Sequence, residues 1–166
     1  MKYLLYLTLP LYILDQITKA WVTSHFPGMT GAADGIAVIP GFFNLVRVHN
    51  TGMAFGLGNG AWWSNYIFLA IAALAIGFIG YLWRKGLLDG VISHIAAALL
   101  ISGILGNVTD RLARGYVVDF LDFYIGQNHW PSFNVADSCI CVAAGLLMWS
   151  SFFPSPASQT KGGARG

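Results

Sequence analysis

Long apolar runs alternate with polar connections along this chain. Four runs are long enough to cross a bilayer, which takes about 20 residues. They are "YLLYLTLPLYILDQITKAWV" at 3–22, "WWSNYIFLAIAALAIGFIGYLW" at 62–83, "VISHIAAALLISGILGNV" at 91–108 and "VADSCICVAAGLLMWSSFF" at 135–153. The second run carries no charge. The first has the look of a leader, but it lacks a small-residue cleavage site and contains Asp15, Gln16 and Lys19, so it reads as a retained helix.

The connections are unequal. "RKGLLDG" at 84–90 is a short turn, whereas 25–61 and 109–134 are long. Within the first long connection, "GIAVIP" and "FFNLVRVHN" read as two strands joined at a Pro-Gly turn. The pattern therefore predicts an all-α membrane protein of four transmembrane helices, with a small β-rich segment outside the membrane between helices 1 and 2. One membrane-embedded domain covers 1–153, and "PSPASQTKGGARG" at 154–166 reads as a flexible tail.

Composition agrees with the pattern. The chain is 56% hydrophobic and 10% charged, against about 25% charged in soluble domains. A net charge of +2, with no basic patch among the aromatics, gives no reason to expect nucleic acid. With the N-terminus inside, Lys2, Arg84, Lys85, Lys161 and Arg165 fall on the cytoplasmic side, and Arg47, Arg111 and Arg114 fall outside. That modest bias puts both termini in the cytoplasm. Trp62, Trp63, Trp83, Trp130 and Trp149 lie near the predicted membrane boundaries. Cys139 and Cys141 read as small hydrophobes, since neither metal spacing nor a disulfide framework fits.

Charges inside apolar runs need a partner or a task, because each costs roughly 2.5–3.5 kcal/mol to insert. Asp15 and Lys19 share a helix face and can pair, either for their own sake or to grip a ligand. Asp110 and Arg111, adjacent in "GNVTDR", cannot face one another and need partners elsewhere. Asp119 in "VVDF" and Asp137 in "NVADS" stand in apolar settings, although Asp137 also suits the start of the fourth helix as a cap. Asp122 rivals either one, and shares a face with Asp119 if 119–122 is helical.

Two carboxylates brought together in a low-dielectric site share a proton, one acting as base and the other as acid. Such a pair can activate water against a peptide carbonyl and titrates with two apparent pKa values. Other hydrolytic motifs are missing: His25, His49, His94 and His129 are scattered, with no HExxH, GxSxG or P-loop. His49 reads as a surface or interface residue. A proton-coupled transporter and a non-catalytic assembly factor are the rival classes; neither explains acidic residues gathered at one boundary.

The polar motifs, taken in order, resemble those of bacterial lipoprotein signal peptidase, also called signal peptidase II. They are "DQITK" at 15–19, "VHNTGMAFG" at 48–56, "GNVTDRLARGYVVDFLDF" at 106–123 and "FNVADS" at 133–138. The resemblance covers nearly the whole chain. It departs from the family at Met53, where a small residue is usual. It implies an aspartyl protease working through Asp119 and Asp137, which favours Asp119 over Asp122. It further implies cleavage of diacylglyceryl-modified prolipoproteins just before the lipidated cysteine. Asp15, Lys19, Asn50, Asn107, Asp110, Arg111 and Asn134 are implied as substrate-positioning or site-supporting residues. No cofactor and no metal is expected. The expected partners are the lipidated precursor and membrane lipid, around a monomer in the bacterial inner membrane with its site on the periplasmic side. Asn50 and Asn134 are expected to hydrogen-bond the substrate backbone, and the Gly-rich stretch 52–63 to fold over it.

Overall fold

A computed structural model describes residues 3–26, 35–52, 63–88 and 90–152. The expected cover at 52–63, with Met53, lies outside the described residues except at its two ends, and the tail at 154–166 lies wholly outside them.

Among the described residues, the α-helices that carry the fold are α1 (Leu9–His25), α2 (Ser64–Arg84), α3 (Gly90–Arg114) and α4 (Val135–Phe152). A π-helical stretch, Leu4–Thr8, runs straight into α1. Pro10 stands at that junction without an N–H to donate, and the wider turn before it absorbs the loss. Helices α2, α3 and α4 are long and apolar enough to cross a membrane. In lipid, such helices satisfy their own backbone polar groups.

Helix α3 is the centre of the bundle. Its most extensive interface is with α4, and α1 and α2 pack on its other sides. Small residues allow the close approach to α4. A Cβ at Gly103 would lie 2.3 Å from the Ala136 carbonyl oxygen, and one at Gly106 would lie 2.9 Å from the Ala136 methyl. Ala96, Leu99, Cys139 and Ala143 form the buried seam. Helix α2 buries little beyond Ser64 and Ile79 and turns Tyr66, Ile67, Leu74 and Phe78 outward. That is the distribution of a helix with lipid as its main neighbour.

The sheet is larger than the sequence pattern predicts. Strands β1 (Ile36–Ile39) and β2 (Phe43–Asn50) form the expected antiparallel pair, turning at Gly41 with φ of 82°. Strands β3 (Val117–Ile125) and β4 (Asn128–His129) join them in the order β1-β2-β3-β4. The β-structure therefore draws on the connection between α3 and α4 as well as that between α1 and α2. Residues 119–122 are strand, not helix, because β2 supplies a hydrogen-bonded neighbour from across the fold. Helix α3 also continues past 108 to Arg114, since the charges at its end find partners there. Val118 and Phe120 pack against Val22 and Phe26, which seats the sheet on the end of α1.

Candidate active site

Strand geometry separates the two aspartates of β3. Neighbouring side chains alternate between faces, so positions 119 and 122 look opposite ways. Asp119 lines a cavity of about 700 Å³. Asp122 does not; it is buried elsewhere, accepting from Asn44 Nδ2 at 2.9 Å and lying 2.8 Å from His129 Nδ1. On β2, a register shift between Leu45 and Val48 sets Val48 opposite Asp119, and Asn50 then reaches across. Asn50 Nδ2 donates to Asp119 Oδ2 at 2.9 Å.

Asp137 arrives from α4. The chain before that helix doubles back along β3, with Phe133 bonding Leu121 in both directions. This brings Asn134, the residue before α4, beside the strand. Its Oδ1 accepts the Asp137 N–H at 2.9 Å, and its own N–H donates to Asp137 Oδ2 at 3.2 Å. The pattern is a reciprocal helix cap, with Asp in the place usually held by Glu or Gln. The Asn134 amide nitrogen also donates to Asp119 Oδ1 at 2.8 Å. One asparagine thus binds both aspartates. Asn107 completes the set, donating to Asp137 Oδ1 at 2.8 Å.

Asp119 is 2% exposed and forms no ion pair among the described residues. Burial, followed by the like charge of Asp137, pushes its carboxyl up to about 7, against the pull of the Asn50 and Asn134 hydrogen bonds. Asp119 is therefore a carboxylic acid that keeps its proton near neutrality, beside a second carboxylate on the same cavity.

The remaining predicted residues divide. Asn50, Asn107 and Arg111 line the cavity. Arg111 lies 3.8 Å over the Phe68 ring and donates to Asn65 Oδ1 at 2.8 Å and the Gly52 carbonyl at 3.3 Å. Asp15, Lys19, Asp110 and Asn134 are wholly buried behind it. Asn134 spends its amide on Asp119, Asn107 and Val118, so it supports a carboxylate rather than donating to a substrate backbone. Lys19 binds Asp15 at 2.9 Å, Asp110 at 3.0 Å and Asn107 Oδ1 at 3.1 Å. Arg114 also pairs with Asp110.

Two residues were not anticipated from sequence. Asn65 orients Arg111, and the polar pair Ser64–Asn65 at the start of an otherwise apolar run was its signal. His49 is not simply a surface group: it lines the cavity and stacks on Tyr116 at 4.0 Å. Burial and the neighbouring Arg47 charge lower its pKa, which favours the neutral ring.

Most of the remaining wall is apolar, built by Phe68, Ile71 and Ala72 of α2, Leu100 and Ile104 of α3, and Ile140 of α4. One end is therefore suited to proton transfer and the other to hydrocarbon.

Residues 7–153 match the family model described as signal peptidase (SPase) II. A lipoprotein signal peptidase of Shewanella oneidensis is 40% identical over 154 residues, covering 90% of this chain and 86% of that one. One of Vibrio cholerae is 42% identical over 149 residues, covering 89% and 85%. A solved bacterial membrane enzyme has a TM-score of 0.77 at 28% identity, covering 94% of this chain and 93% of its own. A second reaches the same TM-score at 26% identity, with 93% and 96% covered.

Proposed function

Since the chain belongs to the signal peptidase II family, a family of membrane-embedded peptidases of lipoprotein signal peptides, we propose that it is an aspartyl endopeptidase of diacylglyceryl-modified prolipoproteins. It cuts just before the lipidated cysteine, and Asp119 and Asp137 activate the water. The observation that carries this reading is the convergence of two carboxylates on one cavity, tied together through Asn134 and, among the described residues, in no ion pair.

The chemistry follows from a pair that holds one proton. Asp119, the member held up near 7, starts as the acid and Asp137 as the base. Asp137 takes a proton from water, whose oxygen bonds to the scissile carbonyl carbon. Asp119 gives its proton to the carbonyl oxygen, forming a neutral gem-diol. Asp119, now ionised, takes back a hydroxyl proton while Asp137 delivers its proton to the cysteine nitrogen. The C–N bond breaks, leaving a new carboxyl end and a free amine, with the pair in its starting state. Neither Asn50 nor Asn134 titrates in this range, so both can hold the acid without competing for its proton.

The substrate arrives from lipid carrying acyl chains and a signal helix. The apolar wall of α2, α3 and α4 suits those chains, and Arg111 and Asn50 at the polar end suit the peptide. In this reading, Leu4–His25 makes a fourth span, both termini are cytoplasmic, and the site opens at the periplasmic face of the bacterial inner membrane. The enzyme acts as a monomer, without metal or cofactor.

The test is cleavage of a diacylated precursor by purified Asp119→Asn and Asp137→Asn variants. Each is expected to fold, insert and leave the precursor uncut. Retained turnover in both would reject the mechanism, as would activity lost to a chelator and restored by zinc.

A further inference from the structure

Three helices meet at the residue immediately before Asp137. Ala136, on α4, has an N–H with no partner inside its own helix, as at the start of any helix. The partner comes from α1: Asp15 Oδ1 accepts it at 2.9 Å, across 121 positions of sequence. The next amide, that of Asp137, goes to Asn134 Oδ1, and the Ser138 amide to the Asn134 carbonyl. Asp15 thus takes the α4 amide that the local Asn134–Asp137 cap leaves open.

The approach depends on α3. At Gly106 a Cβ would stand 2.5 Å from Asp15 Oδ2 and 2.9 Å from the Ala136 methyl, closer than any real Cβ tolerates. The second Asp15 oxygen is held by Lys19 at 2.9 Å and by Gln16 Nε2 at 3.1 Å. Gln16 in turn donates to the Gly106 carbonyl at 3.2 Å. The Asp15 carboxylate is 1% exposed and does not line the cavity, so it has no surface to offer a substrate.

We infer that Asp15 is a positioning residue: seated in the gap left by Gly106, it caps α4 from α1 and sets where Asp137 stands in the cavity. This rests on the reading of Asp119 and Asp137 as the reacting pair. The cap itself concerns the Ala136 amide and is measured separately from turnover.

The test compares Asp15→Ala, which loses the acceptor, with Asp15→Asn, which keeps an acceptor and loses the charge, in the full chain. In Asp15→Ala, kcat is expected to fall about a hundredfold, the effect of misplacing a reacting group by roughly 1 Å. KM should stay within about twofold, since no substrate contact is lost. Exchange of the Ala136 amide should quicken about tenfold, as for a lost cap. Asp15→Asn should restore most of the kcat and the amide protection. A raised KM with kcat intact in Asp15→Ala would make Asp15 a substrate contact and overturn the inference. Unchanged Ala136 exchange in that variant would overturn it as well. If Asp15→Ala does not fold, Asp15→Asn decides alone: a protected Ala136 with kcat near that of the parent supports the inference, and an unprotected Ala136 sinks it. Turnover surviving in Asp137→Asn would reject the catalytic reading, whatever Ala136 does.

Discussion

Two buried groups of carboxylates lie close together and are treated in opposite ways. Asp15 and Asp110 are matched by Lys19 and Arg114, giving two negative charges and two positive ones. None of the four lines the cavity. Asp119 and Asp137 do line it, and neutral amides rather than ion pairs meet their oxygens. Balanced charge makes a joint between helices. Unbalanced charge, held by amides, leaves a carboxyl undecided about its proton, which is the state acid–base chemistry uses.

The largest break in this comparison comes from the open pair. Asp119→Asn or Asp137→Asn should lower precursor cleavage about a thousandfold or more. The double variant should be little worse than either single one, because groups acting as a unit are not additive. A thermal melt should show both single variants still folded.

The closed group should fail in the other currency, stability. Lys19→Met leaves Asp15 and Asp110 facing each other in a buried site, with Arg114 alone to offset them. Removing one partner from a buried pair costs about 3–5 kcal/mol, so the variant should melt far earlier or not accumulate. A melt like that of the parent would mean that the group is not the joint described.

pH sharpens the contrast. The Asp119 carboxyl is raised to about 7 from an ordinary 3.8. The folded protein therefore keeps a proton that the unfolded chain releases between those values, and this group's stability is lost as pH rises through that window. Asp119→Asn should consequently melt higher than the parent at pH 8, by a margin that shrinks towards pH 4. Cleavage should also decline as pH rises through the upper apparent pKa of the pair.

A smaller effect is expected at Asp122, buried on the opposite face of β3 and bound to Asn44 and His129. Asp122→Asn should cost about 1 kcal/mol of stability, the value of a typical hydrogen bond, and leave kcat near that of the parent. The least disturbing change is Asn65→Ala, which frees Arg111 on one side only. A rise in KM of about threefold, with kcat unchanged, is its expected signature.

The membrane class was legible because apolar length is a local property; the pairing of Asp119 with Asp137, rather than Asp122, came only from the resemblance of ordered motifs, and both side chains line one cavity. The third apolar run ends at 108 and "GNVTDR" reads as its close, yet helix α3 runs on to Arg114. It continues because Lys19 and Arg114 meet Asp110, while Asn65 meets Arg111, and none of these pairings except Arg114–Asp110 is local in sequence. Strand β3 was missed for a similar reason. "VVDFLDFYI" is rich in strand-forming residues, yet its partner β2 lies about 70 positions away, and the spacing of Asp119 and Asp122 mimics a helix face. Asn134 was expected to face a substrate; only the return of the chain along β3 turns it inward.

The central claim is that Asp119 and Asp137 act as one titrating unit. It is tested most directly by carbon-13 titration of the aspartate carboxyls, in a chain with seven Asp and no Glu to confuse the spectrum. The predicted result is an Asp119 midpoint near 7 that drops when Asp137→Asn removes the like charge. A midpoint near 3.8, unmoved by that substitution, would contradict it.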